Sequence, residues 1–194
     1  MTLLILGLLI FLGVHSARIL AEPARLALID RLGPGAWKLG YSLASALGLV
    51  LIVMGYAAAR EQPLLLWTPP AAMRHVAALL TLPAFVLLVA SQIPGNALRA
   101  RLGHPMVLGV KLWGLGHLLA NGTLADLLLF GSFTVWAVLA FRAARQRDRA
   151  SGAVRATGRM LPTLLTVGLG LGAWALFALK LHVEWIGVAP FARG

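Results

Sequence analysis

Cysteine is absent from the 194 residues of this chain, and only six residues are acidic. The lack of thiols excludes disulfides, iron–sulfur clusters, thiolate-bound metals and cysteine nucleophiles, so any metal would need histidine ligands. Charged residues make up only 12% of the chain, whereas hydrophobic residues make up 60%. Because so few polar side chains cannot cover a soluble globule, the composition predicts a protein dissolved in lipid.

Six apolar runs, each bounded by turn residues or charge, predict an all-α, polytopic transmembrane helix bundle of about six spans. They cover residues 2–20, 37–57, 73–93, 105–120, 124–141 and 161–181. Most approach the ~20 residues that a tilted crossing needs. The first run has no basic stretch before it and no convincing cleavage site, so we expect it to be retained as a helix. No long polar linker interrupts the chain, which favours a single domain over 1–194.

Basic residues predict the orientation of these spans. Thirteen of the seventeen fall on one side of the six-span arrangement; the other four are Arg60, Arg74, Lys180 and Arg193. Because cytoplasmic loops retain Lys and Arg, both termini are expected outside a bacterial inner membrane. Topology and contact with anionic lipid explain the net charge of +11. The Arg-rich 142–159 loop has no interleaved aromatic residues to stack bases, so no nucleic-acid partner is expected.

Three local patterns predict structure rather than chemistry. Asn121-Gly122 predicts a tight turn between spans four and five. Segment 24–32 has apolar residues at helical spacing between charges, as in a helix lying along the membrane surface. Gly168 and Gly172 have the GxxxG spacing that allows close helix approach, so they are expected to form a contact face.

Two histidines, His15 and His117, lie inside apolar runs. An ionisable side chain at membrane depth costs ~2.5–3.5 kcal/mol and marks a buried partner or a working site. Two imidazoles facing each other across a bundle would make a haem iron site; a core histidine bonded to a backbone carbonyl is the equal alternative. His75 and His182 fall at span ends and are expected to be interfacial. For His104, at the start of span four, helix capping and ligation are both open.

The block HPMVLGVKLWGLGHLLANG resembles the NnrU family, supported by HS at the end of the first span and by LWTPP, LPAFVLLVA and HVEWIG. The resemblance extends over nearly the whole chain. It implies a membrane protein required for nitrite and nitric oxide reductase activity in denitrification. The family is also related to 15-cis-ζ-carotene isomerase, an integral membrane protein whose haem b is held by two histidines.

Three motifs of that isomerase can be matched to this chain. Its His-Ser pair falls on His15-Ser16, and its R-H-P and W-C-L-A-H motifs fall on His104-Pro105 and on the stretch ending at His117. The resemblance therefore implies haem b with His15 and His117 as axial ligands and His104 as a necessary neighbour. Lys111, in the same span, is a further cofactor-binding candidate. The isomerase's Cys is Gly114 here and its Arg is Gly103, so exchange of a His ligand for Cys is not available.

Depth in the membrane argues against the His15–His117 pair. With a rise of 1.5 Å per residue, His15 lies ~20 Å along its span and near the cytoplasmic side, ~10 Å from the depth of His117. A tilted, short or displaced fourth span would be needed to bring them together. His15 with His104 is the fallback, since their depths match better. His104 and His117 are ~220° apart on one helix and cannot both face one iron.

Two functions stay open. The resemblance favours a haem-binding protein that supports nitrogen-oxide reductases, either in their assembly or in their electron supply. The alternative is a haem-dependent cis–trans isomerase of a hydrophobic polyene such as a carotenoid. The His104-Pro105 pair also resembles membrane methyltransferases of the isoprenylcysteine type, a distant third reading because their acidic cofactor-binding pair is not apparent.

Overall fold

The structure, a computed structural model, describes residues 1–191 and consists of helices joined by short connections. The elements are α1 (Thr2–Leu20), α2 (Glu22–Glu61), α3 (Met73–Gln92), α4 (Ala97–Leu102), α5 (Pro105–Ala120), α6 (Leu124–Ala150), α7 (Met160–Leu176), a π-helical turn (Phe177–Leu181) and α8 (His182–Ile186). Five helical segments are long and apolar enough to cross a bilayer, and α5 is a shorter apolar helix. The predicted polytopic helix bundle is confirmed.

The arginine-rich segment 142–159 was expected to be a loop, but its first half is helical. Helix α6 continues to Ala150 because this stretch is rich in Ala, Arg and Gln, which favour helix, and has no glycine before Gly152. Its 27 residues extend ~40 Å, which exceeds the ~30 Å hydrocarbon layer. The last turns of α6 therefore project beyond the layer.

Helix α2 joins the predicted surface segment to the second span, with a bend between them. At the bend Gly33 has φ +81°, and Pro34 follows it. Proline disfavours helical geometry in the residue before it, and glycine adopts positive φ without strain. The bend separates a surface arm, residues 22–32, from the spanning part of α2.

The helices alternate in direction, so the bundle has two chemically different ends. The basic end holds residues 18–38, 93–104 and 142–159, and the opposite end holds Met1, 62–72, 121–123 and 187–191. At the basic end the Arg159 N–H donates to the Gly95 carbonyl at 2.8 Å. At the opposite end Arg60 donates to the Ile186 carbonyl at 2.7 Å. Both ends of the described chain therefore lie at the same end of the bundle, as six crossings require.

Helix α6 packs against both α1 and α5, so it lies between them. The predicted turn at Asn121-Gly122 is confirmed, because α5 ends at Ala120 and α6 begins at Leu124. Small residues bring the other helices together: a Cβ at Gly7 of α1 would lie 2.6 Å from the Ile52 nitrogen of α2.

The prediction that Gly168 and Gly172 of α7 form a contact face is wrong. A Cβ at Gly170 would lie 2.6 Å from the Val86 Cα of α3, whereas Cβ atoms at Gly168 and Gly172 would meet nothing within 4 Å. Gly170 is two residues from each of them and so lies on the other side of the helix. The close approach of α7 to α3 therefore uses Gly170, and the GxxxG pair faces away from it.

Candidate functional site

His15 is held near the basic end of α1 by its own helix. Its Nδ1 lies 2.6 Å from the Phe11 carbonyl oxygen, and the Phe11 ring stacks on the imidazole with 4.1 Å between centroids. A carbonyl only accepts hydrogen bonds, so Nδ1 carries a hydrogen, and Nε2 is the ring nitrogen that remains to bind a metal. Metal-binding histidines commonly have this arrangement, in which the second ring nitrogen donates to a backbone carbonyl and fixes the tautomer.

A cleft of about 320 Å³ opens beside this imidazole. We call it the His15 cleft; its lining residues are Val14, His15, Ala17, Arg18, Arg25, Trp37, Tyr41 and Trp136. Ring centroids of Tyr41 and Trp136 lie 5.2 and 6.0 Å from that of His15. The cleft thus combines one imidazole, three larger aromatic side chains and two guanidinium groups.

Local helix geometry explains how these residues come to share a cleft. His15 and Arg18 are three residues apart on α1, and Trp37 and Tyr41 are four apart on α2, so each pair lies on one helix face. Arg25 comes from the surface arm, which the bend at Gly33 sets apart from the spanning part of α2.

His117 has the same local geometry as His15 but different surroundings. Its Nδ1 lies 2.8 Å from the Trp113 carbonyl oxygen, one turn earlier on α5. Its ring stacks on Phe130 of α6 with 4.6 Å between centroids, and the Trp113 ring lies 5.3 Å away. The carbonyl-bonded arrangement expected for a core histidine is therefore found at both positions, and at both Nε2 is the ring nitrogen that remains for a ligand.

The structure does not bring His15 and His117 together. His15 lies against Trp136 and His117 against Phe130, six residues apart on α6. At 1.5 Å per residue this is an offset of ~9 Å, close to the offset expected from the sequence. Ring contacts between the two histidines run through Phe11, Phe133 and Trp113. That His15 and His117 ligate one iron as an axial pair therefore stays a prediction from the resemblance.

His104 lies at the basic end and is engaged by a carboxylate. It is the N-cap residue of α5, but its side chain makes no capping hydrogen bond. Instead its Nε2 lies 2.9 Å from Asp148 Oδ2, and Arg155 also binds that carboxylate. Its ring lies against Phe141, five residues beyond Trp136 on α6, an offset of ~7.5 Å. Along the membrane normal, His104 therefore lies nearly as far from His15 as His117 does. The better depth match that was expected for the fallback pair, His15 with His104, is not found.

The remaining candidates are distributed around the bundle. Lys111 is half-buried on α5, and no hydrogen bond or ion pair among residues 1–191 involves it. A long lysine side chain can reach polar surroundings from such a position. His75 is exposed at the start of α3, and His182 Nδ1 lies 2.7 Å from the Val188 carbonyl oxygen at the opposite end. Both agree with the interfacial roles expected for them.

Sequence reasoning missed most of the His15 cleft. Trp37 and Trp136 both line the cleft, although no motif in the sequence marks either of them. Arg18 was counted only in the charge asymmetry, although it lies one helical turn after His15. The spacing of Arg18 from His15 could have indicated that it belongs to the same site, since residues three apart on a helix share one face.

These features define a polytopic helical membrane protein with a histidine-containing aromatic cleft at its basic end. Comparison with family models gives the particular family: residues 3–190 match the model described as NnrU protein. Because the match covers nearly the whole chain, this protein belongs to the NnrU family. No curated protein and no solved structure matches it.

Proposed function

We propose that the protein binds b-type haem in the His15 cleft and supports nitrogen-oxide reduction at the bacterial inner membrane. The observation that carries the proposal is the His15 imidazole, whose Nδ1 lies 2.6 Å from the Phe11 carbonyl oxygen, which leaves Nε2 as the nitrogen to ligate iron. The aromatic walls of the cleft suit a planar, apolar macrocycle better than they suit a metal ion in a closed tetrahedral site. Membership of the NnrU family supports the connection to nitrite and nitric oxide reduction.

Each group in the cleft has a definable task in this proposal. His15 would hold the iron through Nε2, while the Phe11 carbonyl and the stacked Phe11 ring fix the orientation of the imidazole. Trp37, Tyr41 and Trp136 contact the apolar faces of the ligand and limit access of water. When bound, haem iron supplies one-electron redox chemistry and a coordination position for a small ligand.

Substitution of His15 tests the proposal in purified protein supplied with haem. We expect His15→Ala to weaken haem binding by more than the roughly 10- to 100-fold that loss of an outer-shell partner costs. His75→Ala and His182→Ala are matched controls outside the cleft and should bind haem like the unmodified protein. A titration followed by haem absorbance measures the affinities. A protein that folds but binds no haem, or binds it equally well as His15→Ala, would refute the proposal.

His117→Ala and His104→Ala test whether a second histidine would hold the iron. Because neither ring lies in the His15 cleft, we expect both variants to keep haem bound with an unchanged spin state. Conversion of a low-spin spectrum to a five-coordinate one by His117→Ala would instead support the pair that the resemblance implies. The same conversion by His104→Ala alone would support the fallback pair.

A denitrifying host tests the physiological part of the proposal. We expect a strain carrying His15→Ala to lose nitrite and nitric oxide reductase activity as fully as a deletion strain, with the protein present at its normal level.

The aromatic walls of the cleft also favour a second candidate function, cis–trans isomerisation of a conjugated polyene. Conversion of a cis-carotenoid by the purified, haem-loaded protein would establish it, and no conversion would eliminate it.

A further inference from the structure

The mouth of the His15 cleft is basic, whereas its walls are aromatic. Arg18 from α1 and Arg25 from the surface arm both line it, and the three aromatic walls come from α2 and α6. A ligand with complementary chemistry has a flat apolar body and carboxylates at one edge. Haem b is such a ligand, since its two propionates lie on the same edge of the macrocycle.

We propose that Arg18 and Arg25 bind the haem propionates, so that the macrocycle enters the cleft with its carboxylate edge toward the basic end. This inference rests on the proposed function and adds two binding residues to it. Planar guanidinium groups pair with carboxylates through two parallel hydrogen bonds, which gives both affinity and a fixed orientation.

The structure shows these arginines in contact with a carboxylate already. Arg25 Nη1 lies 3.1 and 3.2 Å from the two Glu22 carboxylate oxygens, and Arg18 Nε lies 3.9 Å from one of them. Two guanidinium groups thus share a single carboxylate, and the cluster keeps one net positive charge. Each guanidinium has five N–H donors, so donors are left for a second carboxylate.

A wall of the cleft also contains a hydrogen-bond donor without an acceptor. Within residues 1–191, Trp136 Nε1 is the one buried side-chain nitrogen or oxygen that lacks a partner. Its ring stands edge-on to His15, with an interplanar angle of 86°. An unsatisfied buried donor is unusual in a folded protein, so Trp136 is the aromatic wall of the cleft with an unmet hydrogen-bonding requirement.

The two arginines are not equivalent. The Arg25 side chain is 24% exposed and is contributed by the arm that covers one side of the cleft, whereas the Arg18 side chain is 61% exposed. Ion pairs weaken as solvent exposure increases. We therefore expect Arg25 to contribute more to haem affinity than Arg18.

The test compares haem b with haem b dimethyl ester, which has the same macrocycle and iron but no carboxylate charge. Arg25→Gln should lower haem affinity by about tenfold or more, which is the range for losing a charged hydrogen bond. Arg18→Gln should lower it less, and neither variant should change affinity for the ester. Arg31→Gln, on the same surface arm but outside the cleft lining, is the matched control. Equal losses for haem and ester, or no loss for haem, would overturn the inference.

Metal-free protoporphyrin IX separates this inference from the proposed function. Because it has propionates but no iron, its binding should depend on Arg25 and not on His15, with quenching of tryptophan fluorescence as the readout. Protoporphyrin binding that Arg25→Gln weakens would support the arginine assignment even if haem ligation by His15 failed. Protoporphyrin binding that Arg25→Gln leaves unchanged would refute it even if haem ligation by His15 held.

Anionic lipid is the competing source of negative charge at this end of the bundle. Haem titrations in nanodiscs of phosphatidylcholine and of phosphatidylglycerol distinguish the two, and we expect similar affinities in both. If phosphatidylglycerol abolished the dependence of haem affinity on Arg25, the arginines would be assigned to lipid headgroups and the inference would fail.

Discussion

Asp126 shows how one buried side chain can connect three segments. It is only 5% exposed, and the Tyr56 hydroxyl donates to its Oδ1 at 2.6 Å. The backbone and hydroxyl of Thr123 donate to Oδ2, which completes a capping box at the start of α6. A buried carboxylate is tolerated when hydrogen bonds replace its hydration. Its position near the start of the 124–141 apolar run does not by itself indicate this burial.

Replacement of Asp126 is expected to destabilise the bundle. Asp126→Ala removes the cap of α6 and leaves the Tyr56 hydroxyl without its acceptor, which together cost about 2 kcal/mol in free energy of unfolding. Denaturation with sodium dodecyl sulfate, followed by circular dichroism, measures the loss. Asp30→Ala, on the surface arm, is the control and should have little effect; equal losses would contradict the role given to Asp126.

At the scale of the helix, α6 determines which functional residues can meet. It packs against α1 on one side and α5 on the other, so the ring of His15 contacts Trp136 while the ring of His117 contacts Phe130. Both histidines have the local geometry of a ligand, but α6 and its aromatic side chains lie between them. The His15 cleft is therefore formed by α1, α2 and α6 without α5.

The close contact between α7 and α3 predicts that substitutions at Gly170 and Gly168 affect stability differently. Gly170→Ala should destabilise the protein by about 1–3 kcal/mol, because overpacking a close helix contact forces the backbones apart. Gly168→Ala is the matched control on the same helix, and its new methyl group would meet no neighbour. Detergent-induced unfolding distinguishes them. Equal stability of the two variants would show that the α3–α7 contact has been placed on the wrong face.

At the scale of the whole molecule, the even number of crossings puts both ends of the described chain on one side. The basic end opposite them contains most of the arginines. Because loops rich in Lys and Arg stay in the cytoplasm, we expect this basic end to face the cytoplasm.

Reporter fusions test this orientation. A fusion at Gly194, which lies outside the described residues, should be active as alkaline phosphatase, and a fluorescent-protein insertion at Ser151 should be fluorescent in the cytoplasm. A fusion at Arg60 should report the same side as Gly194 and serves as an internal check. A cytoplasmic signal at Gly194 would refute the six-span arrangement.

The sequence alone determined the apolar spans, because lipid imposes one simple requirement on each of them. A run of about 20 apolar residues satisfies its backbone hydrogen bonds internally, so its limits can be read locally. Turn chemistry at Asn121-Gly122 and proline chemistry at Pro34 are equally local. His15 and His117 stood out for the same reason, since each is an ionisable residue within an apolar run.

The tertiary structure alone decided which side chains meet, because contacts between helices depend on helix rotation and packing. Trp136 is 121 residues from His15 in the chain, and nothing in its local sequence indicates that it faces a cleft. Arg25 lines that cleft only because α2 bends at Gly33. His117 shares the local geometry of His15 but lies beyond α6. The composition of the His15 cleft is therefore a property of how α1, α2 and α6 pack, to which close contacts at small residues such as Gly7 contribute.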